Sequence, residues 1–270
     1  MLSIKYFLKL ILYKPLFNAL IFLVWLIPGH NVGWAIIILT IITRLILLPP
    51  SIKATRQQKR MKDLQPEIQK IQSQYKDDKQ KQSQAVMAFY RENKINPLGS
   101  CLPLLIQLPI LIILYYVFIN GLSTERFDLL YDFTPRPETL QTFFLGIDLA
   151  KNDRYILPVI AGILQYFQAR QLTPPSPPRG QEKGQEIQAM LSKQMLYLMP
   201  IFTVIVAGQL PAALPLYWAV TTLFAIGQQW WVLRDSANSK LKGQNSKLEI
   251  PKEPAMIKKG GVEVTVRKKK

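Results

Sequence analysis

Between Lys193 and Arg234 the chain runs for forty residues without a charged side chain. As one helix this stretch would be about 60 Å long at 1.5 Å per residue, roughly twice the hydrocarbon thickness of a bilayer. It must therefore fold back on itself, and Gly208-Gln209-Leu210-Pro211 is the break. Three more apolar stretches precede it. Residues 32–48 hold one charge, and residues 101–119 and 155–169 hold none. Five spans follow, at about 32–48, 101–119, 155–169, 195–208 and 210–233. Composition fits no soluble class: the chain is 49% hydrophobic yet carries a formal charge of +17. A basic nucleic-acid module would show interleaved aromatics or a binding motif rather than bilayer-length apolar runs. The sequence predicts an all-α integral membrane protein.

Orientation follows from where Lys and Arg fall. Residues 51–95 carry eleven basic and five acidic side chains, and residues 234–270 carry eleven and four. Residues 120–153 carry six acidic and three basic ones. Five spans alternate consistently if 51–100, 170–194 and the tail are cytoplasmic and 120–154 is outside. The C-terminus is then cytoplasmic, and the segment before the first span lies outside. In that segment, residues 1–31, Pro15 and Pro28 enclose an uncharged stretch short for a span, preceded by Lys5, Lys9 and Lys14. It reads first as an amphipathic helix lying in the outer interface. A sixth span or an uncleaved signal-like start are the alternatives.

Between the first two spans, Met61, Leu64, Ile68, Ile71 and Tyr75 recur at helical spacing, and Val86, Met87, Phe89 and Tyr90 form a second stripe. Tyr75-Lys-Asp-Asp-Lys is a polar turn between them, Pro66 should restart the first arm, and Asn96-Pro97 ends the second. A solvated linker would not hold apolar residues in register over several turns. Residues 51–96 are therefore expected to form a cytoplasmic helical hairpin. Residues 235–270 combine lysines with little apolar periodicity and read as a basic, disordered cytoplasmic tail, and the 171–190 loop reads likewise as disordered. No conventional site chemistry is visible. Cys101 and His30 are each the sole residue of their type. No phosphate-binding glycine loop, HExxH pattern or Ser/His/Asp grouping appears, so neither a cofactor, a metal nor bond-making catalysis is expected.

Four segments in order, TIITRLILLP, MKDLQPEIQKIQSQYKDD, AFYRENKINPLGSCLPLLIQLPILIILYYVF and LPAALPLYWAVTTLFAIGQQWWV, resemble the YidC membrane-protein insertases, relatives of mitochondrial and chloroplast insertases. The resemblance covers roughly residues 11–234, without the large extracytoplasmic domain that many members carry. It implies the short form: a five-transmembrane-helix insertase core with a cytoplasmic helical hairpin and an N-terminal interfacial helix, in the bacterial plasma membrane. Nascent membrane proteins and the lipid bilayer become the implied partners, with the Sec translocon, and ribosomes held by the basic tail, as further candidates.

Arg44 is the sequence's clearest misfit: a permanent cation inside span one, four residues before Leu48. Snorkelling to the cytoplasmic headgroups is one account, since an arginine at a helix centre costs only ~3 kcal/mol on translocon scales. The neighbouring spans offer another. Thr40 lies one turn before Arg44, Gln107 interrupts span two, and Gln165 and Gln168 sit one turn apart in span three. Tyr217, Thr221 and Gln228 stripe span five. Each of these could serve an interhelical hydrogen bond, or together they could line a wet cavity that hydrates the cation. The resemblance favours the second account, because such insertases have a positively charged hydrophilic groove closed outside and open to cytoplasm and lipid. It matches Arg44 to the groove arginine and puts Gln165 and Trp218 near groove-lining positions. The competing functions are a small-solute transporter or channel, against which five uneven spans without a visible repeat argue, and an anchor that merely presents the hairpin.

Overall fold

Helix breakers set most of the element boundaries. The computed structural model describes residues 9–96, 102–121, 129–173 and 183–241. Residues 1–8 of the N-terminal segment, Cys101, residues 174–182 of the 171–190 loop and the tail beyond Leu241 lie outside the described residues. The two ends of that loop, 171–172 and 183–190, are helical rather than disordered. A π-helical turn, Lys9–Tyr13, leads into α1, Lys14–Leu26, with Pro15 in its first turn, where the missing N–H costs nothing. After a 3₁₀ turn at Pro28–His30, α2 spans Val32–Ile46. Asn31 caps it, its side-chain oxygen accepting from the amides of Gly33 and Trp34 at 3.0 and 3.3 Å. The chain then bends by 68° into α3, Leu48–Asp63. Pro49 and Pro50 follow the bend and cannot donate to the preceding turn.

Pro66 restarts the chain as α4, Gln65–Gln74, and Asp78 caps α5, Lys79–Glu92, through the amides of Gln80 and Lys81 at 3.1 and 3.0 Å. The two apolar stripes meet: Leu64, Ile68, Phe89 and Ile95 form a small buried cluster, flanked by Met61, Ile71, Val86 and Tyr90. Burial there pushes the Tyr90 hydroxyl pKa up.

The remaining helices are α6 (Leu102–Gly121), α7 (Ile156–Leu172), α8 (Lys183–Ala207) and α9 (Ala213–Leu241). The break at 208–211 separates α8 from α9. Both of these helices outrun the expected spans: α8 begins at Lys183 rather than near 195, and α9 runs on to Leu241. The charged residues added at those ends extend helices beyond their apolar lengths, since hydropathy marks membrane depth and not where backbone hydrogen bonding stops. Among the described residues no single helix is long and apolar enough to cross a membrane by itself, whereas α2 and α3 meet that measure as a bent pair.

Helix α9 packs against α2 and α7, and α7 against α8. Gly162 permits the last contact, because a Cβ there would collide with Val204 Cγ2 and approach the Pro200 carbonyl to 3.1 Å. The main core gathers Phe17, Leu20, Ile21 and Val24 of α1 with Val32, Ile36, Val117, Leu149 and Leu214. One face of α1 is thus inside the bundle, while Phe22, Trp25 and Leu26 remain exposed.

The described part of the 120–154 segment adds an element that the all-α reading missed. Phe143–Phe144 (β1) and Ile147–Asp148 (β2) form an antiparallel two-stranded hairpin, too short to show period-two alternation in sequence. Its flanks bond to the head of α2 and the 208–211 break. Val32 N donates to the Gln141 carbonyl at 3.0 Å and Asn152 Nδ2 to the Gln209 carbonyl at 3.0 Å, and Ala213 N at the start of α9 donates to the Leu149 carbonyl at 3.1 Å. A buried asparagine of α1 fastens the same segment. Asn18 donates to the Lys14 and Leu129 carbonyls at 2.8 and 3.3 Å and accepts from Tyr131 N and Thr134 Oγ1 at 2.7 and 2.8 Å.

Candidate functional site: a polar seam around Arg44

Arg44 lies in the last turn of α2, half-buried, where a cation also complements the helix dipole. Its Nη2 donates to Gln107 Oε1 of α6 at 3.0 Å. Gln107 Nε2 in turn donates to the Tyr217 hydroxyl of α9 at 2.7 Å. Three helices thus meet in one chain of hydrogen bonds, guanidinium to amide to phenol. Among the described residues no carboxylate pairs with Arg44. The amide orients the cation without neutralising it.

Thr40 lies one turn away, buried, its hydroxyl donating to the Ile36 carbonyl at 2.6 Å. It shares a small cavity with Thr43, Leu114, Phe118 and Tyr217, so Thr40 and Tyr217 do come together. Thr43 donates to the Thr40 carbonyl at 2.9 Å. Both hydroxyls are satisfied within their own helix, and Thr40 adds little free polarity to the seam.

Gln165 on α7 and Thr221 on α9 behave differently. Gln165 Oε1 and Thr221 Oγ1 are buried without a protein hydrogen-bond partner. A buried polar atom left unpaired costs about 1–3 kcal/mol, and water is its usual partner. Gln168 and Trp218 are half-buried on the same two helices. Gln228 is engaged elsewhere. Its amide exchanges hydrogen bonds with Ser51 Oγ at 2.9 and 2.8 Å and reaches Thr55 Oγ1 at 3.3 Å, tying α9 to the first two turns of α3. Eleven residues beyond Tyr217, that is about three turns or 16 Å away, it fixes the root of the hairpin rather than contacting Arg44.

Sequence reading missed two parts of this arrangement. Ser51 and Thr55 are one turn apart on α3, a spacing that hinted at a shared partner but not at which one. Lys62 was only one charge among many, yet its ammonium donates to the Gln171 carbonyl at 3.0 Å, capping the end of α7. Burial lowers its pKa, with Asp63 opposing that shift and Lys59 adding to it.

The sequence family described as the 60Kd inner membrane protein matches residues 24–240. A protein of Clostridium tetani named membrane protein insertase YidC is 41% identical over 203 residues, covering 74% of this chain and 81% of its own length. The protein of that name in Fusobacterium nucleatum is 36% identical, with 77% of this chain and 88% of its own length aligned. The one in Ectopseudomonas mendocina is 37% identical over 76% of this chain, which matches only 31% of that longer protein. The family match over residues 24–240 takes in Arg44, Gln107, Gln165, Tyr217 and Thr221.

Proposed function

The chain belongs to the 60Kd inner membrane protein family, that of the membrane protein insertases, and we propose that the Arg44 seam is where it receives its substrates. It is a bacterial membrane protein whose function is insertion of other proteins into the membrane, not solute transport. The observation carrying the proposal is the Arg44–Gln107–Tyr217 chain, a cation held by neutral groups; the buried unpaired oxygens of Gln165 on α7 and of Thr221, one turn beyond Tyr217 on α9, support it.

A short acidic tail or loop of a nascent membrane protein enters from the cytoplasm and is drawn to Arg44, where the reduced dielectric strengthens attraction beyond its value in water. Water held by Gln165 and Thr221 lowers the cost of bringing polar backbone to membrane depth, otherwise several kcal/mol per unsatisfied group. The apolar lengths of α7 and α8 are short, which favours local bilayer thinning and shortens the path. The substrate's apolar segment then moves sideways into lipid, and its burial drives the step. No covalent chemistry is involved. The five-span topology has the hairpin and tail in the cytoplasm and the loop between α6 and α7 outside, as the basic-residue bias supports. The tail would hold ribosomes near the groove through phosphate contacts, and the Sec translocon is a further candidate partner.

The test is insertion of a substrate with an acidic extracytoplasmic tail into vesicles carrying the full chain. Arg44→Ala should impair it, and Arg44→Lys should retain most activity because charge rather than fork geometry is required. Equal insertion by all three proteins would overturn the groove and leave Arg44 a snorkelling residue.

A further inference from the structure

We propose that the β1–β2 hairpin is a membrane anchor whose tip, Phe143 and Leu145, sits in the lipid interface at the head of α2. Leu145 is 84% exposed and Phe143 56% exposed. The tip is a tight turn with positive φ at both central residues, 49° at Leu145 and 84° at Gly146. Such turns take Asn, Asp or Gly, and a branched aliphatic side chain there crowds the backbone while touching little of the protein. The residue is the wrong one for the turn and for water, and the right one for a lipid surface.

The hairpin cannot swing away from that level. Asn31 Nδ2 donates to the Phe143 carbonyl at 2.9 Å, and Gln141 N donates to the His30 carbonyl at 3.0 Å. Phe144, 7% exposed, turns inward and meets the Trp34 ring edge-on at 5.4 Å. Gly33 makes the room, since a Cβ there would overlap the Phe144 ring. Trp34 heads an exposed apolar stripe of α2 that continues through Ile38, Ile41, Ile42 and Leu45. In a membrane protein that stripe faces lipid, and a tryptophan at its end marks the interface. The hairpin tip is docked against this end, so its apolar surface continues the lipid-facing surface.

The base of the hairpin is polar. Asp148 accepts from Thr142 Oγ1 at 2.9 Å and pairs with Lys151 at 3.1 Å. Burial works against its ionisation, but these partners and the Ala150 amide outweigh that and hold its pKa below the ordinary carboxylate value. A charged base behind an apolar tip is the amphipathic arrangement of an interfacial element. The occupant of this surface is therefore the phospholipid headgroup–acyl boundary, and in the topology proposed above it belongs to the outer leaflet. That last assignment rests on the proposed topology, whereas the depth of the tip does not.

The experiment uses the full chain with Cys101→Ser, carrying Leu145→Cys or, as a control on the polar base, Lys151→Cys. Each is labelled with an environment-sensitive fluorophore in vesicles of phosphatidylcholine and phosphatidylglycerol containing phosphatidylcholine spin-labelled near the headgroup. The label at 145 should emit at shorter wavelength than the label at 151 and lose at least half its intensity to the spin-labelled lipid, with 151 little changed. Water-like, unquenched emission at 145 would overturn the anchor. So would blue-shifted emission that spin-labelled lipid does not quench, since protein, such as a second copy of the chain, would then cover the tip. The side is read separately, from reaction of the Lys151→Cys protein with an impermeant maleimide on intact spheroplasts. Reaction only after permeabilisation would overturn the outside placement of this loop, with the depth at 145 still deciding the anchor.

Discussion

Replacing Gln107 by Glu converts the amide that orients Arg44 into a carboxylate at the same place. The shapes are nearly identical, so the guanidinium keeps its partner near the 3.0 Å now separating Arg44 Nη2 from Gln107 Oε1. Next to a fixed cation the new carboxyl stays ionised. A substrate carboxylate about 4 Å from Arg44 gains ~4 kcal/mol at an effective dielectric near 20, and the introduced carboxylate about 6 Å from it would take back ~3 kcal/mol. The residual attraction of ~1 kcal/mol is about a hundredfold weaker in binding terms, at 1.4 kcal/mol per factor of ten. Salt in a wet groove reduces both contributions, so a ten- to hundredfold loss is expected. The assay is protease protection of two substrates that differ only in tail charge, inserted into vesicles carrying the full chain. Gln107→Glu should insert the acidic-tailed substrate nearly as poorly as Arg44→Ala, which loses the whole attraction, and the neutral-tailed one nearly as well as the parent. Gln107→Leu, which removes the bridge without adding charge, should fall between. Undiminished insertion of the acidic tail by Gln107→Glu would refute the electrostatic argument, and so would equal loss on both substrates.

Asn18→Ala leaves the Tyr131 amide and the Thr134 hydroxyl without their acceptor, at a cost of about 1–3 kcal/mol. Amide exchange at 131–134 should accelerate roughly ten- to hundredfold, and unchanged exchange would show that Asn18 does not fasten this segment. Asp153 accepts from the amides of Tyr155, Ile156 and Leu157 at 3.0, 3.1 and 2.6 Å, and although burial opposes ionisation these bonds hold its pKa below the usual carboxylate value. Its stabilisation of the start of α7 is thus full above the unfolded pKa of about 3.9 and is lost as pH falls through the lower folded value. Exchange of the Leu157 amide should rise over that acid range, and Asp153→Ala should remove the dependence at a cost of about 1 kcal/mol.

The sequence by itself determined what depends on neighbours along the chain. Forty uncharged residues had to turn, and α8 and α9 separate at the Gly208–Pro211 break because glycine and proline are poor helix continuers wherever they occur. The stripes through Ile68 and Phe89 predicted which faces of α4 and α5 would meet, since a narrow apolar seam has one economical partner. Arg44 declared itself as a cation in an apolar run. Only the tertiary structure decided what each polar group bonds to. Gln107 and Gln228 look alike in sequence, each an amide in an apolar helix. Yet one joins Arg44 and Tyr217, 63 residues before it and 110 after it, while the other ties α9 to Ser51 and Thr55, more than 170 residues earlier. Asn18 gave no periodic signal, because a single buried amide serving a loop has none. The two-residue strands hold a single period of alternation, too little to reveal them. Periodicity records which side of an element is apolar, but a hydrogen bond needs two atoms within about 3 Å, and that proximity exists only once the helices have packed.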